Sequence, residues 1–226
     1  MSVDTDVIYT AKMNAFVMRP CLWTLSSTDK TLYVDDLSPD SESQRQAAFQ
    51  LIADATRRAD NVGVDEFTPD FFSLVLRYVD VAVMLYEPSV DDGVDQRRLL
   101  GLVIVTECRF VRSPQPRACQ LLVFTSAELS GRQLRRDLVH LGLLLASHSR
   151  LQYIDCFAEV FVPCLELVLA MRDEGFVITA CIPTAGMLAG HTGHVDSYIM
   201  YKQLDARSVS RSRLCTFAIF FFNVIC

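Results

Sequence analysis

The chain has 226 residues, enough for one large domain or two small ones and enough to bury a core without disulfide staples. Hydrophobic residues make up 51% and charged residues 21%, which excludes a disordered or fibrous chain. The net charge is −6, from 21 Lys+Arg against 27 Asp+Glu, which argues against a protein built around the nucleic-acid backbone and leaves room only for a local basic patch. Only Lys12, Lys30 and Lys202 are lysines, so the cations are mostly Arg, the residue suited to bidentate anion contacts.

Eight cysteines form no C-x-x-C pair and have no His at zinc-ligand spacing, so no metal is expected. Most lie in apolar runs and read as buried, reduced thiols of an intracellular, cytoplasmic protein. The start, Met1 to Asp6, is acidic and lacks the apolar region of a secretory signal. No run reaches the ~18 apolar residues of a membrane-spanning helix.

Residues 1–30 read as an N-terminal extension, with weak strand patterns at Ile8-Tyr9 and Phe16-Val17-Met18. Thr31 to Val34 predicts a short strand. Ser41 followed by Gln44 is a capping-box pattern, and Ala48, Leu51, Ile52 and Ala55 recur at helical spacing, predicting a helix to about Arg58. Phe67-Thr68-Pro69-Asp70 opens a second helix to about Arg77: Thr68 caps, Pro69 takes the first position and Phe67 staples onto Phe72.

Strands follow at Val79–Tyr86, Leu99–Val111 and Ala118–Phe124. They are separated by the polar hairpin 88–97 and by the Ser113-Pro114-Gln115-Pro116 break, so three strands run antiparallel. Leu134, Leu138, Leu141 and Leu145 then mark an amphipathic helix over 131–147. A strand from Tyr153 to Val160 precedes a second helix that ends at Gly175. Strands from Phe176 to Ile182 and Asp196 to Leu204, with a loop over 183–195, complete a β-α-β-α-β-β order. The fold class is α/β (α+β): a mixed sheet with an antiparallel N-terminal meander and helices on both faces.

Two segments carry a family likeness: Val123 to Leu138 (VFTSAELSGRQLRRDL) and Met171 to Phe176 (MRDEGF). With the element order over 31–204, they resemble the GNAT superfamily of acyl-CoA-dependent N-acetyltransferases. In that family the first segment is a strand running through a glycine-rich turn, Arg/Gln-x-x-Gly-x-Gly/Ala, into a helix N-terminus that holds the CoA pyrophosphate. The second is the final helix, closed by Gly-Phe.

On the helix's hydrophobic register, the resemblance puts Ser130 at the Arg/Gln place, and Gln133 and Arg135 at the two small-residue places. Gly131 falls at a position that is often Gly. A rival register sets Gly131 on the first required glycine and Glu128 on the Arg/Gln place, but it moves Leu134 and Leu138 off the buried face. Arg135 either obstructs the cradle or turns outward and adds charge to the phosphates, with Arg132 and Arg136 beside it. Met171 stands where many members have a Tyr acid, and Cys164 where an Asn is frequent.

The resemblance implies acyl transfer from acetyl-CoA, or another acyl-CoA, to an amine acceptor by direct attack. It puts pantetheine along Leu121, Leu122, Val123 and Phe124, and phosphates around Ser130, Gly131, Arg132, Gln133, Leu134 and Arg135. Glu107 is the candidate base, followed by Asp155, and Tyr201 is the candidate substitute acid. Tyr198 and Tyr201 face opposite sides of the last strand. Each site residue has a plainer reading: a solvated helix start, an outward strand Glu, a core thiol at Cys164, and exposed loop histidines at His191 and His194.

Two alternatives stand beside the enzyme: an inactive GNAT-fold binding or scaffold module, and acyl transfer from a carrier-bound pantetheine. The segment 205–226, with Arg207, Arg211 and Arg213 before a Phe-rich apolar end, is a tail. It is too short to span a membrane, and membrane contact through it is one reading among several.

Overall fold

The computed structural model describes residues 21–25, 30–38, 40–63, 68–76, 79–87, 98–108, 118–129, 131–149 and 153–204. The expected strands before residue 20, the Phe67 staple, the hairpin 88–97, the break at 113–116, Ser130 and the tail lie outside these residues.

Eight strands form one sheet: β1 (Cys21–Thr24), β2 (Thr31–Asp36), β3 (Val79–Tyr86), β4 (Leu99–Glu107), β5 (Ala118–Thr125), β6 (Asp155–Phe161), β7 (Val177–Met187) and β8 (His194–Gln203). The order across the sheet is β1-β2-β3-β4-β5-β6-β8-β7. Among the described residues only β5 and β6 pair in parallel, joined by the crossover helix α3 (Arg132–Ser147). The strand β1 was not anticipated; it pairs with β2 through Cys21↔Val34 to Thr24↔Thr31.

The helix α1 (Glu42–Arg57) starts as expected, with the Ser41 hydroxyl accepting from the Gln44 amide at 3.4 Å. The Gln44 carboxamide reaches back further than a capping box requires and accepts from the Ser38 amide at 2.7 Å. With α2 (Pro69–Leu76) it covers one face of the sheet: Leu51, Ile52 and Phe72 pack with Met84, Leu102 and Ile104. The other face carries α3 and α4 (Leu165–Asp173), where Leu138, Leu141, Leu145 and Met171 pack with Val103, Leu121, Val123 and Met200. Gly142 lets α3 approach closely, since a Cβ there falls 2.3 Å from Leu121 Cδ1.

The expected loop 183–195 is corrected to 188–193. The strand does not end at Ile182: β7 continues through Pro183 to Met187. An edge strand has no outer ladder to interrupt, so a proline is tolerated there. Cysteine burial is uneven: Cys108, Cys119 and Cys156 are buried, but Cys181 on that edge is exposed.

Candidate functional site

The parallel pairing of β5 with β6 is short. It holds for Ala118↔Asp155, Cys119↔Cys156 and Gln120↔Phe157, and then stops. From Leu121 and Ala158 onward the strands diverge, while β5 stays paired with β4 and β6 with β8. One edge of Leu121 to Thr125 and one edge of Ala158 to Phe161 therefore line a wedge-shaped gap. The start of α3 stands above its wide end, one short 3-10 turn (Ala127–Leu129) after β5.

That helix start is electrostatically bare. Gly131 takes the N-cap position at φ 123°, no side chain caps it, and no acid lies in the first turn. A Cβ on Gly131 would meet nothing within 4 Å, so the space is open and the glycine serves the backbone angle. The first amides of the helix point at that space with the positive end of the dipole behind them.

The arginines of the first turn are engaged by the protein itself. Arg132 makes a two-point contact with Asp173, at 2.6 and 2.7 Å. That hydrogen bond holds the Asp173 carboxyl below its usual range. Arg136 donates to Glu174 at 2.8 Å, and His140 lies 3.0 Å from the same carboxylate. Gln133 is exposed and Leu134 half-buried against the core.

Arg135 turns inward. Its side chain is 11% exposed and meets Asp60, 10% exposed, at 2.5 Å. Asp60 belongs to the turn after α1, so this pair joins α3 on one face of the sheet to α1 on the other. Arg58, from the same turn, donates to the Thr125 carbonyl at 2.5 Å, and the Thr125 hydroxyl lies 3.5 Å from Asp60.

The neighbouring residue completes the other side of the gap. The Asn61 carboxamide donates to the Glu159 carbonyl at 3.1 Å and accepts from the Phe161 amide at 2.8 Å. It thus supplies β6 with one rung where the parallel partner has left. Ala59 and Asn61 both have positive φ, 55° and 59°, an unusual conformation for non-glycine residues. The Cys164 thiol fixes this turn: it donates to the Ala59 carbonyl at 3.4 Å and accepts from the Asn61 amide at 3.2 Å. Burial pushes Cys164 up to about 11, although the Asn61 amide acts against that rise. A thiol so held ties the start of α4 to the turn after α1 and is a poor nucleophile.

The remaining predicted residues lie apart. Glu107 is exposed at the end of β4 opposite Cys119. It shares the parity of Val103 and Val105, which pack on the α3 face. Tyr201 lies on the α1 face of β8, its ring tilted against Phe157 with centroids 5.2 Å apart, and donates to Asp155 at 2.8 Å. That hydrogen bond raises the phenol. The structure therefore brings Leu121 to Phe124, Gly131 and Arg135 to one gap, sets Tyr201 beside its narrow end, and leaves Glu107 on the opposite face. His191 and His194 are exposed.

Glu159 was missed by sequence reading. It is half-buried on the α1 face, between the gap and β8, and the buried Ser197 hydroxyl donates to it at 2.7 Å. In sequence it is one polar residue in the alternation of Phe157, Ala158, Glu159 and Val160. The resemblance puts the acceptor side at residues 59–79, the 88–98 hairpin and the 183–195 loop, but Arg58, Asp60 and Asn61 were not singled out, because a charged run after a helix reads as a solvated turn. The one local signal was Asn61, a residue type suited to the left-handed region.

No family model matches the sequence, and no curated protein matches it. Solved structures do. A provisionally named phosphinothricin N-acetyltransferase superposes with a TM-score of 0.61 at 12% identity, covering 77% of this chain and 99% of its own. A GCN5-related N-acetyltransferase from Kribbella flavida gives 0.58 at 17% identity, covering 76% and 98%. Spermidine N-acetyltransferase from Vibrio cholerae, in complex with CoA and spermine, gives 0.54 at 15% identity, covering 76% and 95%. The fold is that of the GNAT superfamily. Among the described residues no helix is long and apolar enough to cross a membrane, and no group of three or more His, Cys, Asp or Glu is placed to hold a metal ion.

Proposed function

We propose that the chain is an acyltransferase that moves an acyl group from an acyl-CoA to an amine by direct attack. One observation carries this reading: the parallel pair β5–β6 opens after Gln120 and Phe157, directly below an uncapped helix start. A parting sheet leaves backbone groups on Leu121 to Thr125 for the amides of a pantetheine arm. The bare amides of α3 at Gly131, Arg132 and Gln133, with open space at Gly131, suit its phosphates.

The residues fit the donor at its phosphate end. At the arm end, Arg135, Asp60 and Asn61 occupy the gap, so the arm lies against β5 only where these side chains yield. The acceptor amine approaches from the α1 face, where Glu159, fixed by Ser197, is the base in preference to Glu107. Glu159 takes the ammonium proton, directly or through water, and the free amine attacks the thioester carbonyl. Proximity and a carbonyl held by strand amides supply most of the acceleration. Tyr201, beside the narrow end, is the phenol assigned to the departing thiolate, and it must leave Asp155 to donate there.

A second reading rests on the same gap. Arg132 and Arg135 are already neutralised by Asp173 and Asp60, and the Asn61 rung closes β6. These contacts favour a binding module that has kept the fold and lost the transfer. A donor on a carrier protein, which presents one phosphate, lies between the two.

Calorimetry with acetyl-CoA and with pantetheine, followed by thiol-release assays over a panel of amines, tests the reading. The enzyme is expected to bind acetyl-CoA saturably, to lose binding in Gly131→Trp, and to release thiol with at least one amine. Saturable binding without thiol release selects the binding module. No binding of either ligand at millimolar concentration rejects both donor readings.

A further inference from the structure

Arg135 stands one turn into α3, where its amide donates to the Gly131 carbonyl at 3.0 Å. Residues four apart share a helix face, and a helical side chain leans toward the N-terminus. Arg135 therefore belongs to the same face as the open space at Gly131. In this structure it crosses the gap to Asp60 instead, at 2.5 Å. The contact uses Nη1 alone. The buried Nε donates to nothing among the described residues, and the Glu166 carboxylate lies 3.8 Å from it. A buried donor without a partner disfavours the arrangement that leaves it so. Asp60, for its part, keeps a cation when the arginine leaves, because Arg58 lies 3.5 Å away. The rest of the filling is tied down on the β6 side. Asn61 is bonded to the Glu159 carbonyl and the Phe161 amide, and its own amide to the Cys164 thiol. Arg135 is thus the part of the filling that can leave without unpairing a strand.

We propose that Arg135 makes the gap selective for phosphorylated donors. A phosphate at the start of α3 draws the guanidinium off Asp60, and the pantetheine arm enters where the side chain lay. This selectivity rests on the acyl-CoA reading and adds an order to it, phosphate end first and arm second. A phosphate presents several oxygens to the guanidinium fork, so Nε gains a partner along with Nη1. The neighbouring cations are less free: Arg132 is held at two points by Asp173, and Arg136 is bound to Glu174. Pantetheine without a phosphate has no anion for Arg135 and meets a closed gap. CoA and the phosphopantetheine of a carrier protein both carry one.

The experiment is calorimetry on the full chain with S-acetylpantetheine, inorganic pyrophosphate and acetyl-CoA as probes. In the wild type, saturating pyrophosphate is expected to tighten S-acetylpantetheine binding about tenfold, and S-acetylpantetheine to tighten pyrophosphate equally, since coupling is reciprocal. Arg135→Ala is expected to move the two probes in opposite directions. S-acetylpantetheine binds it about tenfold more tightly than it binds the wild type alone, pyrophosphate binds it more weakly, and the coupling disappears. A residue with a merely structural role would weaken both. The wild-type coupling supplies the readout where the variant does not fold. Acetyl-CoA binding to a wild type that shows no coupling between the two fragments overturns the selectivity and leaves the donor reading standing. So does a folded Arg135→Ala that gains nothing for S-acetylpantetheine. Absence of acetyl-CoA binding to both proteins at millimolar concentration overturns the donor reading, and the selectivity with it.

Discussion

Arg135 and Asp60 meet at 2.5 Å through the gap between β5 and β6, each about nine-tenths buried, one from α3 and the other from the turn after α1 on the opposite face of the sheet. The pair is asymmetric. Asp60 also has Arg58 at 3.5 Å, whereas the other carboxylate near Arg135 is Glu166, at 3.8 Å and 58% exposed. Removing Asp60 therefore strands a buried cation, and removing Arg135 leaves an anion with a second partner. Breaking a buried pair typically costs about 3–5 kcal/mol. Asp60→Asn is expected near the upper end of that range in urea unfolding and Arg135→Met near the lower. The double variant Asp60→Leu/Arg135→Met is expected to recover most of the loss. Equal costs for the two single variants would remove the asymmetry argument.

Asn61 answers two demands at once, a left-handed backbone and a rung for β6. Asn61→Gly meets the first demand and not the second; Asn61→Ala meets neither. Unpairing the Glu159 carbonyl and Phe161 amide is expected to cost both variants roughly 1–3 kcal/mol per group left without a partner. The left-handed angle adds about 1–2 kcal/mol for alanine alone. The expected order of thermal stability is wild type, then Gly, then Ala. An alanine variant as stable as the glycine one would show that the turn relaxes out of its positive φ.

The order of strands and helices was legible because each element writes its own period: Leu134, Leu138, Leu141 and Leu145 mark α3, and the β-branched Val103, Ile104 and Val105 mark β4. The helix start at Gly131 was legible for the same local reason. The filling of the gap was not. Asp60 and Arg135 are 75 residues apart, and Asn61 and Phe161 are 100 apart, so no local pattern relates them. Arg135 shows the limit well. Its sequence position admitted an inward or an outward side chain, and only a carboxylate from the turn after α1 decided between them. The strand end expected at Ile182 shows the same limit: whether a strand tolerates Pro183 depends on whether it lies at an edge, which is a property of the whole sheet.

Glu159 tests the chemistry apart from donor binding. Glu159→Gln preserves an acceptor for Ser197 and so preserves the fold, but it cannot take a proton. If Glu159 is the base, kcat falls about 10²- to 10⁴-fold while the dissociation constant for acetyl-CoA stays unchanged. The acid limb of the pH profile of kcat/KM is also lost. Glu107→Gln is expected to leave both unchanged, because that residue faces α3 and is exposed. A Glu159→Gln enzyme with wild-type turnover removes the assignment.

The α3–α4 contact supplies a pH-dependent part of stability. Burial raises the Glu174 carboxyl, but the hydrogen bonds from His140 and Arg136 outweigh it and bring the group below its ordinary value of 4.5. A carboxyl depressed in the folded state favours folding wherever the unfolded chain's carboxyl is ionised. The contribution is therefore fully present above 4.5 and is lost as pH falls below 4.5 through the lower folded value. Glu174→Gln removes the titration. Compared at pH 7, the variant is expected to be less stable than the wild type by about 1.5–3 kcal/mol, the range for hydrogen bonds to a charged group. The difference should shrink steadily from pH 4.5 downward as the wild-type carboxylate protonates. Urea midpoints measured between pH 7 and pH 3 read this directly. A difference that stays constant across that range would mean that Glu174 contributes through packing and neutral hydrogen bonds, not through its charge.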